Sequence, residues 1–286
     1  MQSIDPGRPT WPDGRQSCVA LAFDLDGPTG GAMLDGSLWH NPSLFMLGAY
    51  EPWRALGYLL GLLRELRTPA TFFVPAWVLD TWPEQCRAIV EDGHEVAYHG
   101  DQHEAFWQLD AGQQREVMAR SKAVFARHLG LAPTGFRTPS GDWGPDTVDI
   151  LLEAGVRYSS SMRGDDRPYF IPGTDGARGL VEIPGRWEMD DYTSLAYQRR
   201  PDYPAGLDRI AGYDNTLDNW RREFDGAHAE GLCLTTLLHP KVSCKPGRLG
   251  ILERLIGHMR DQGNVWFATC AQVECWWRDR TAKETP

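Results

Sequence analysis

The chain has no apolar run long enough to cross a bilayer, which removes a membrane-spanning helix from consideration. Residues 1–16 are polar and rich in Pro and Gly and have no apolar h-region, so no secretory signal is expected and a cytoplasmic location is. Positive charge is also short: 29 Lys and Arg stand against 39 Asp and Glu, a formal net charge of −10. That balance repels polyanions, so neither nucleic acid nor an anionic membrane is an expected partner. The six cysteines, at 18, 86, 233, 244, 270 and 275, form no CxxC pair. Several lie inside apolar runs and read as small buried hydrophobes in a reducing compartment. No glycine fingerprint opens the first helix, which excludes a dinucleotide fold. There is no internal repeat and no clear interdomain linker. What remains is ample: 42% apolar residues over 286 positions, enough for the core of one catalytic domain.

Short apolar, β-branched or aromatic runs alternate with helical patterns. Residues 18–23, 70–74, 95–98, 135–138, 156–160, 180–184, 232–238 and 265–268 read as strands. Residues 52–67 read as a helix with Pro52 in its first turn and Leu59, Leu60, Leu62, Leu63 and Leu66 on its apolar face. Other helical patterns cover 83–92, closed by Gly93; 110–129, opened by the capping pair Asp110 and Gln113 and ended by Gly130; 145–155; 217–230; and 248–262. Alternating strands and helices imply a parallel sheet with helices outside. About seven such units in this length predict a distorted, nearly closed (β/α) barrel, with an open doubly wound sheet as the alternative. Residues 163–216, rich in Asp, Tyr, Pro and Gly, read as a long irregular excursion holding one strand near the substrate mouth. Residues 1–16 and 278–286 are expected to be irregular tails.

The chemistry-bearing residues fall at the C-terminal ends of strands, where a parallel barrel gathers its active site. Asp24 and Asp26 end the first, His99 and His103 the third, Arg137 the fourth and His239 the seventh. Two imidazoles and a carboxylate suit a divalent metal, zinc first, with cobalt, manganese, nickel or iron as substitutes. One aspartate is then a ligand and the other a free general base beside the metal, although Asp-Gly also favours turns and either could simply cap one. Lone histidine pairs at this spacing are commonly hydrogen-bonded structural residues. The carboxylate pair ending a neighbouring strand is what argues for a metal here.

In this order, Phe-Asp-Leu-Asp-Gly (23–27), His-Gly-Asp-Gln-His (99–103), Arg-Thr-Pro-Ser-Gly (137–141) and Leu-Leu-His-Pro (237–240) resemble the motifs of polysaccharide deacetylases of the NodB-homology type, over residues 18–270. The resemblance implies the distorted barrel already expected. It implies Asp24 as catalytic base, Asp26, His99 and His103 as metal ligands, Arg137 as the residue that orients the base, and His239 as general acid. The usual tryptophan and aspartate behind the acid have only an approximate match, with Trp187 and Asp191 as candidates and Asp190 in reserve. The family's aspartates are commonly adjacent. Here Leu25 separates them, which resembles an atypical cytoplasmic branch with peptidoglycan deacetylase-like, allantoinase-like and cyclic imide hydrolase members.

The implied activity is metal-dependent hydrolysis of a non-peptide C–N bond. A small intracellular amide or cyclic imide is the first expectation, and N-deacetylation of N-acetylglucosamine-containing glycans or peptidoglycan the second. A non-catalytic ligand-binding relative is the reading from another class, and no second metal cluster supports a phosphoesterase. Trp39, Trp107, Trp143 and Trp187 are candidates to stack on a sugar or flat ring, or else pack the core and rim. By resemblance the chain is a homo-oligomer, a tetramer or dimer.

Overall fold

Residues 17–24 do not make one strand, because Leu21 divides them between two sheets. The computed structural model describes residues 11–34, 36–174, 176, 179–196 and 210–284. In chain order its elements are β1 Ser17–Ala20, β2 Ala22–Asp24, α1 Thr29–Leu34, α2 Pro42–Tyr50, α3 Leu56–Glu65, β3 Thr71–Val74, α4 Ala76–Thr81, α5 Pro83–Glu91, β4 Glu95–Tyr98, α6 Ala111–Leu129, β5 Gly135–Phe136, α7 Thr147–Glu153, β6 Tyr158–Ser159, β7 Tyr169–Ile171, β8 Leu180–Glu182, α8 Tyr192–Leu195, α9 Tyr213–Glu230, β9 Cys233–Thr235, α10 Pro240–Ser243, α11 Leu249–Asp261, β10 Val265–Phe267 and α12 Cys270–Glu284. Among the described residues no helix is long and apolar enough to cross a membrane.

One sheet runs β10-β1-β9 and the other β2-β3-β4-β5-β6-β8-β7, parallel throughout except for the β7–β8 pair. The seam between them closes through two isolated parallel bridges, Phe23 to Leu238 and Asp190 to Leu237. At the division Thr236 substitutes for a ladder partner: its hydroxyl accepts from Ala22 N (2.8 Å) and donates to Ala22 O (3.0 Å). The result is the distorted (β/α) barrel.

Strand alternation sorts the side chains. Val19, Leu21, Phe23, Phe72, Val74, Val96, Tyr98 and Phe136 pack outward with the helices in one buried cluster. Ala20, Ala22, Phe73, Ala97 and Tyr158 belong to a second, interior cluster. The lumen is a filled core, with Tyr158 across its floor, where its hydroxyl donates to Glu95 Oε1 (2.6 Å). Gly135 is required beside it, since a Cβ there would lie 2.1 Å from the Tyr158 ring. Continuing the alternation upward, Asp24, His99 and Arg137 share the inward parity of Ala22, Ala97 and Gly135 and form the next layer. Asp26, two residues past Asp24, keeps that direction, while Leu25 between them is buried in the outer cluster.

The capping pair forms as expected: Asp110 accepts from Gln113 N, Gln113 reaches back to Asp110 N, and Gly130 ends α6 at φ 65°. Four expectations are corrected. The helix expected over 52–67 begins as a π-helical turn, Glu51–Ala55, before α3 takes over. That turn carries Glu51, fully buried, toward the barrel mouth. The excursion at 163–216 holds two strands, the antiparallel β7–β8 pair, then α8, and α9 starts at Tyr213 rather than 217; its residues 197–209 lie outside the described part. The tail from 278 is not irregular as far as Glu284, because α12 continues through it. Arg278 is tied to Glu274 and donates to Arg157 O (3.0 Å), so the charge that reads as solvated is anchored on the barrel. Residues 11–16 are docked as well: Trp11 is 1% exposed and its Nε1 donates to Gly231 O (2.9 Å), while residues 1–10 lie outside the described part.

Candidate active site

Asp24 and Asp26 leave β2 on the same side, 4% and 2% exposed, and meet residues from four other strand ends. Arg137, directly after β5, donates from Nη1 to Asp24 Oδ1 (2.7 Å). Nε and Nη2 are engaged inside the barrel, Nε donating to Ser160 O (2.8 Å) and Nη2 to Ser160 Oγ (2.8 Å) and Thr236 O (3.3 Å). The guanidinium lies over the Phe73 ring, 4.2 Å from its centroid. Asp24 therefore has one oxygen pinned and the other, Oδ2, turned toward His99 Nε2 at 3.8 Å.

Gly100 lets the loop after β4 double back at φ 71°, and a Cβ there would sit 2.7 Å from the Glu104 carboxylate. That carboxylate accepts from Asp101 N (2.9 Å) and Gln102 N (3.0 Å), closing the loop that brings His103 back beside His99. The two rings stand edge-on with centroids 4.9 Å apart. His99 Nδ1 donates to Arg137 O (2.7 Å), which fixes the tautomer and leaves the Nε2 lone pair facing Asp26 Oδ1 at 3.4 Å. His103 Nε2 lies 3.6 Å from the same oxygen. Two hydrogen-bond acceptors at that distance do not satisfy one another, and among the described residues neither Asp26 Oδ1 nor His99 Nε2 has a partner. A buried acceptor pair of this kind is costly unless a cation lies between its members. The ligand atoms of Asp26, His99 and His103 all fall within 4.8 Å of one another. The donor set therefore fits a divalent metal, and the backbone carbonyl behind His99 is the kind of partner that orients a ligating imidazole.

Across Asp26 stands His239, whose Nε2 is 3.7 Å from Asp26 Oδ2. Its Nδ1 donates to Asp191 Oδ1 (2.8 Å), and Asp191 Oδ2 accepts from His239 N (2.8 Å) and Ser243 Oγ (2.5 Å). Burial pushes the His239 imidazole down, but Asp191, Asp26 and Asp24 outweigh it and lift it to about 10. The Tyr192 ring stands edge-on to the imidazole, centroids 4.4 Å apart. Asp190, Asp191 and His239 could also enclose a metal by distance alone. Their atoms are committed elsewhere, however, because Asp191 takes His239 Nδ1 and Asp190 Oδ1 caps Tyr192 N (2.8 Å). This group is an imidazole and its carboxylate anchor. Of the two aspartates held open behind His239, Asp191 is the one that touches it.

Two residues at the centre carry no sequence motif. Lys241 Nζ lies 2.9 Å from Asp26 Oδ2 and 3.7 Å from Glu51 Oε2. Glu51 in turn accepts from Lys241 N (3.0 Å) and Gly27 N (2.5 Å). Burial raises the Glu51 carboxyl to about 7 against the pull of Lys241. Burial alone would raise Asp26 too, but Lys241, His103, His99 and His239 hold it well below the usual carboxylate range. Lys241 sits two residues after His239 in the first turn of α10, so the late-histidine motif was its only signal. Glu51 had none.

A cavity of about 240 Å³ opens over this layer, lined by Asp24, Asp26, His99, His103, Arg137 and His239 among others. Of the four tryptophan candidates, Trp187 lines it. Trp39, 37% exposed, packs edge-on against Trp77 (5.0 Å); Trp107 is 52% exposed on the 3₁₀ turn Phe106–Gln108; and Trp143 packs against the outer core. Those three are outside the lining, because residue proximity along the chain to a motif does not place a ring over the barrel mouth.

The family profile described as Polysaccharide deacetylase matches residues 50–159. A chain assigned as a polysaccharide deacetylase from Mycobacterium smegmatis superposes with a TM-score of 0.89 at 30% identity, covering 96% of this chain and 94% of that one. This chain belongs to the polysaccharide deacetylase family. Within that family it is 27% identical to the peptidoglycan deacetylase of Helicobacter pylori over 283 residues, 91% of this chain and 95% of the relative. Puue allantoinase shares the fold at a TM-score of 0.82 and 22% identity, over 96% of this chain and 95% of that one.

Proposed function

We propose that the chain is a metal-dependent amide hydrolase in which Asp24 is the base, His239 the acid, and Asp26, His99 and His103 hold the metal, zinc being the ion this donor set suits best. The observation that carries the reading is the placement of Asp24 and His239 on opposite sides of the Asp26–His99–His103 corner, each held by a dedicated partner. A divalent ion at that corner supplies Lewis acidity toward an amide carbonyl. Asp24 Oδ2 receives the proton of the attacking water, while Arg137, bound to Oδ1, keeps the carboxylate aimed. His239 then donates its Nε2 proton to the departing nitrogen, because Asp191 holds Nδ1 and leaves Nε2 toward the cavity. Thus one side chain accepts a proton and the other delivers one, and neither has to turn.

The substrate of this reading is a small amide or cyclic imide. A cavity of about 240 Å³ accommodates one ring rather than several linked sugars. A second reading, N-deacetylation of an amino sugar, is favoured by the nearly full-length similarity to a peptidoglycan deacetylase. Metal analysis followed by a panel of succinimide-type rings, allantoin and N-acetylglucosamine oligomers tests both. Turnover of a ring that falls with metal removal is the expected result. Turnover of oligomers alone reverses the order of the two readings, and turnover indifferent to rigorous metal removal undoes the mechanism. Bound metal with no turnover of any amide favours the non-catalytic relative.

A further inference from the structure

Of the two arginines that line the cavity, one is paired with a carboxylate. Arg137 is paired with Asp24, and Lys241 at the edge with Asp26 and Glu51. In the excursion after β6, Arg167 reaches Asp165 (3.5 Å) and Arg186 reaches Asp166 (2.9 Å). Arg163 lines the same cavity and, among the described residues, has no carboxylate within ion-pair distance. Its Nε is buried without a hydrogen-bond partner, and its one protein acceptor is Ser161 O, 3.3 Å from Nη1. The guanidinium lies over Trp187, with Cζ 3.9 Å from the ring centroid. Trp187 is 53% exposed, so the pair stands at the rim, between solvent and the layer of Asp24 and His239. Beside it is Gly141, at φ 78°, where a Cβ would come within 3.3 Å of Nη1. The backbone thus leaves room for a half-buried guanidinium over the ring.

A partly desolvated cation with a buried donor unused and no carboxylate beside it is unfavourable unless its counter-charge arrives with the ligand. A guanidinium fork matches a planar carboxylate by two parallel hydrogen bonds. The geometry points to Arg163, on Trp187, as a recognition site for a carboxylate that the substrate carries beside its scissile amide. This rests on the amide-hydrolase reading and narrows its substrate class to anionic amides, whether a carboxylated amino sugar or a carboxylated small ring.

Two probe pairs differ by one carboxylate-bearing substituent, a lactyl ether or an acetate arm: N-acetylmuramic acid against N-acetylglucosamine, and hydantoin-5-acetic acid against hydantoin. Calorimetric titration of the metal-loaded full chain measures binding without requiring turnover, so the result stands even where amide hydrolysis is not observed. In at least one pair the carboxylated member is expected to bind about tenfold more tightly, and the pair that responds identifies the source. Arg163→Met is expected to collapse that ratio to about one and Arg163→Lys to retain part of it, since Lys keeps the charge without the fork. Retained metal content and Tm serve as the folding control for both variants. Equal binding within both pairs, no binding to any of the four, or a preference that survives Arg163→Met overturns the assignment.

Discussion

The two histidine corners of this site use the same side chain for opposite ends, and the atom on Nδ1 makes the difference. His99 gives its Nδ1 proton to a neutral carbonyl, that of Arg137, and offers a bare Nε2 toward Asp26. His239 gives its Nδ1 proton to the carboxylate of Asp191, and its imidazole is lifted to about 10. On the ligand side burial pushes His103 down to about 4, despite the pull of Asp26. Burial is nearly complete at both corners, so desolvation does not distinguish them. A fixed negative charge behind one ring does. Asp26 lies between the two, one oxygen toward each corner, with Lys241 bound to the oxygen on the acid side.

Four measurements break or sharpen that contrast. The largest effect comes from removing one ring from each corner. His99→Ala should lose bound metal and activity together, whereas His239→Ala should lose about 10²–10⁴-fold in kcat and keep its metal. Equal loss of metal in both would erase the distinction. Asp191→Asn leaves a hydrogen-bond partner but removes the charge, and should cost about 10–100-fold in kcat with metal content unchanged. A kcat insensitive to this change would detach Asp191 from the acid.

The third measurement concerns the bridge between the corners. Lys241→Met strands Glu51 and one oxygen of Asp26 as buried acids and should lower the Tm of metal-free protein by roughly 10 °C. Adding Glu51→Gln should restore part of that loss, and additive losses would show that the two residues are not coupled. The smallest effect lies away from both rings. Burial raises the Glu182 carboxyl to about 7, although Met162 N, Ser161 N and Ser159 donate to it. A carboxyl raised from 4.5 holds its proton more tightly folded than unfolded, so its contribution is present below 4.5 and is lost as pH rises through 7. Glu182→Gln should therefore gain a few degrees in Tm relative to the parent between about pH 5 and pH 8. A difference that does not change with pH contradicts this.

Much of the fold was legible because its signals are local. The capping pair at Asp110 and Gln113, the glycine after α6 and the wholly buried strand Thr71–Val74 each act within a few residues. The motif residues were legible for a related reason: Asp24, Asp26, His99 and Arg137 lie at or just past a strand end, where period-two alternation carries them inward, and His103 and His239 follow in the short segments after β4 and β9. Misreadings arose where the deciding contact is distant. The charged stretch after Trp277 looks solvated until Arg278 finds Arg157 O, 121 positions away. Residues 18–23 look like one strand until Thr236, 214 positions from Ala22, takes over a ladder bond. Trp39, Trp107 and Trp143 were chosen by nearness in sequence, and three of the four tryptophans proved to pack elsewhere than the cavity wall.

By itself, then, the sequence determined the alternation of strand and helix, the inward parity of Asp24, Asp26, His99 and Arg137, and the family to which those motifs belong. Tertiary structure alone decided that Asp191 rather than Asp190 holds His239, that Lys241 and Glu51 close around Asp26, and that among the described residues Arg163 is left without a carboxylate partner. Charge pairing depends on distances of a few ångströms between groups up to 215 positions apart, as for Asp26 and Lys241. Residue type and local spacing cannot encode such distances until barrel closure brings the strand ends together.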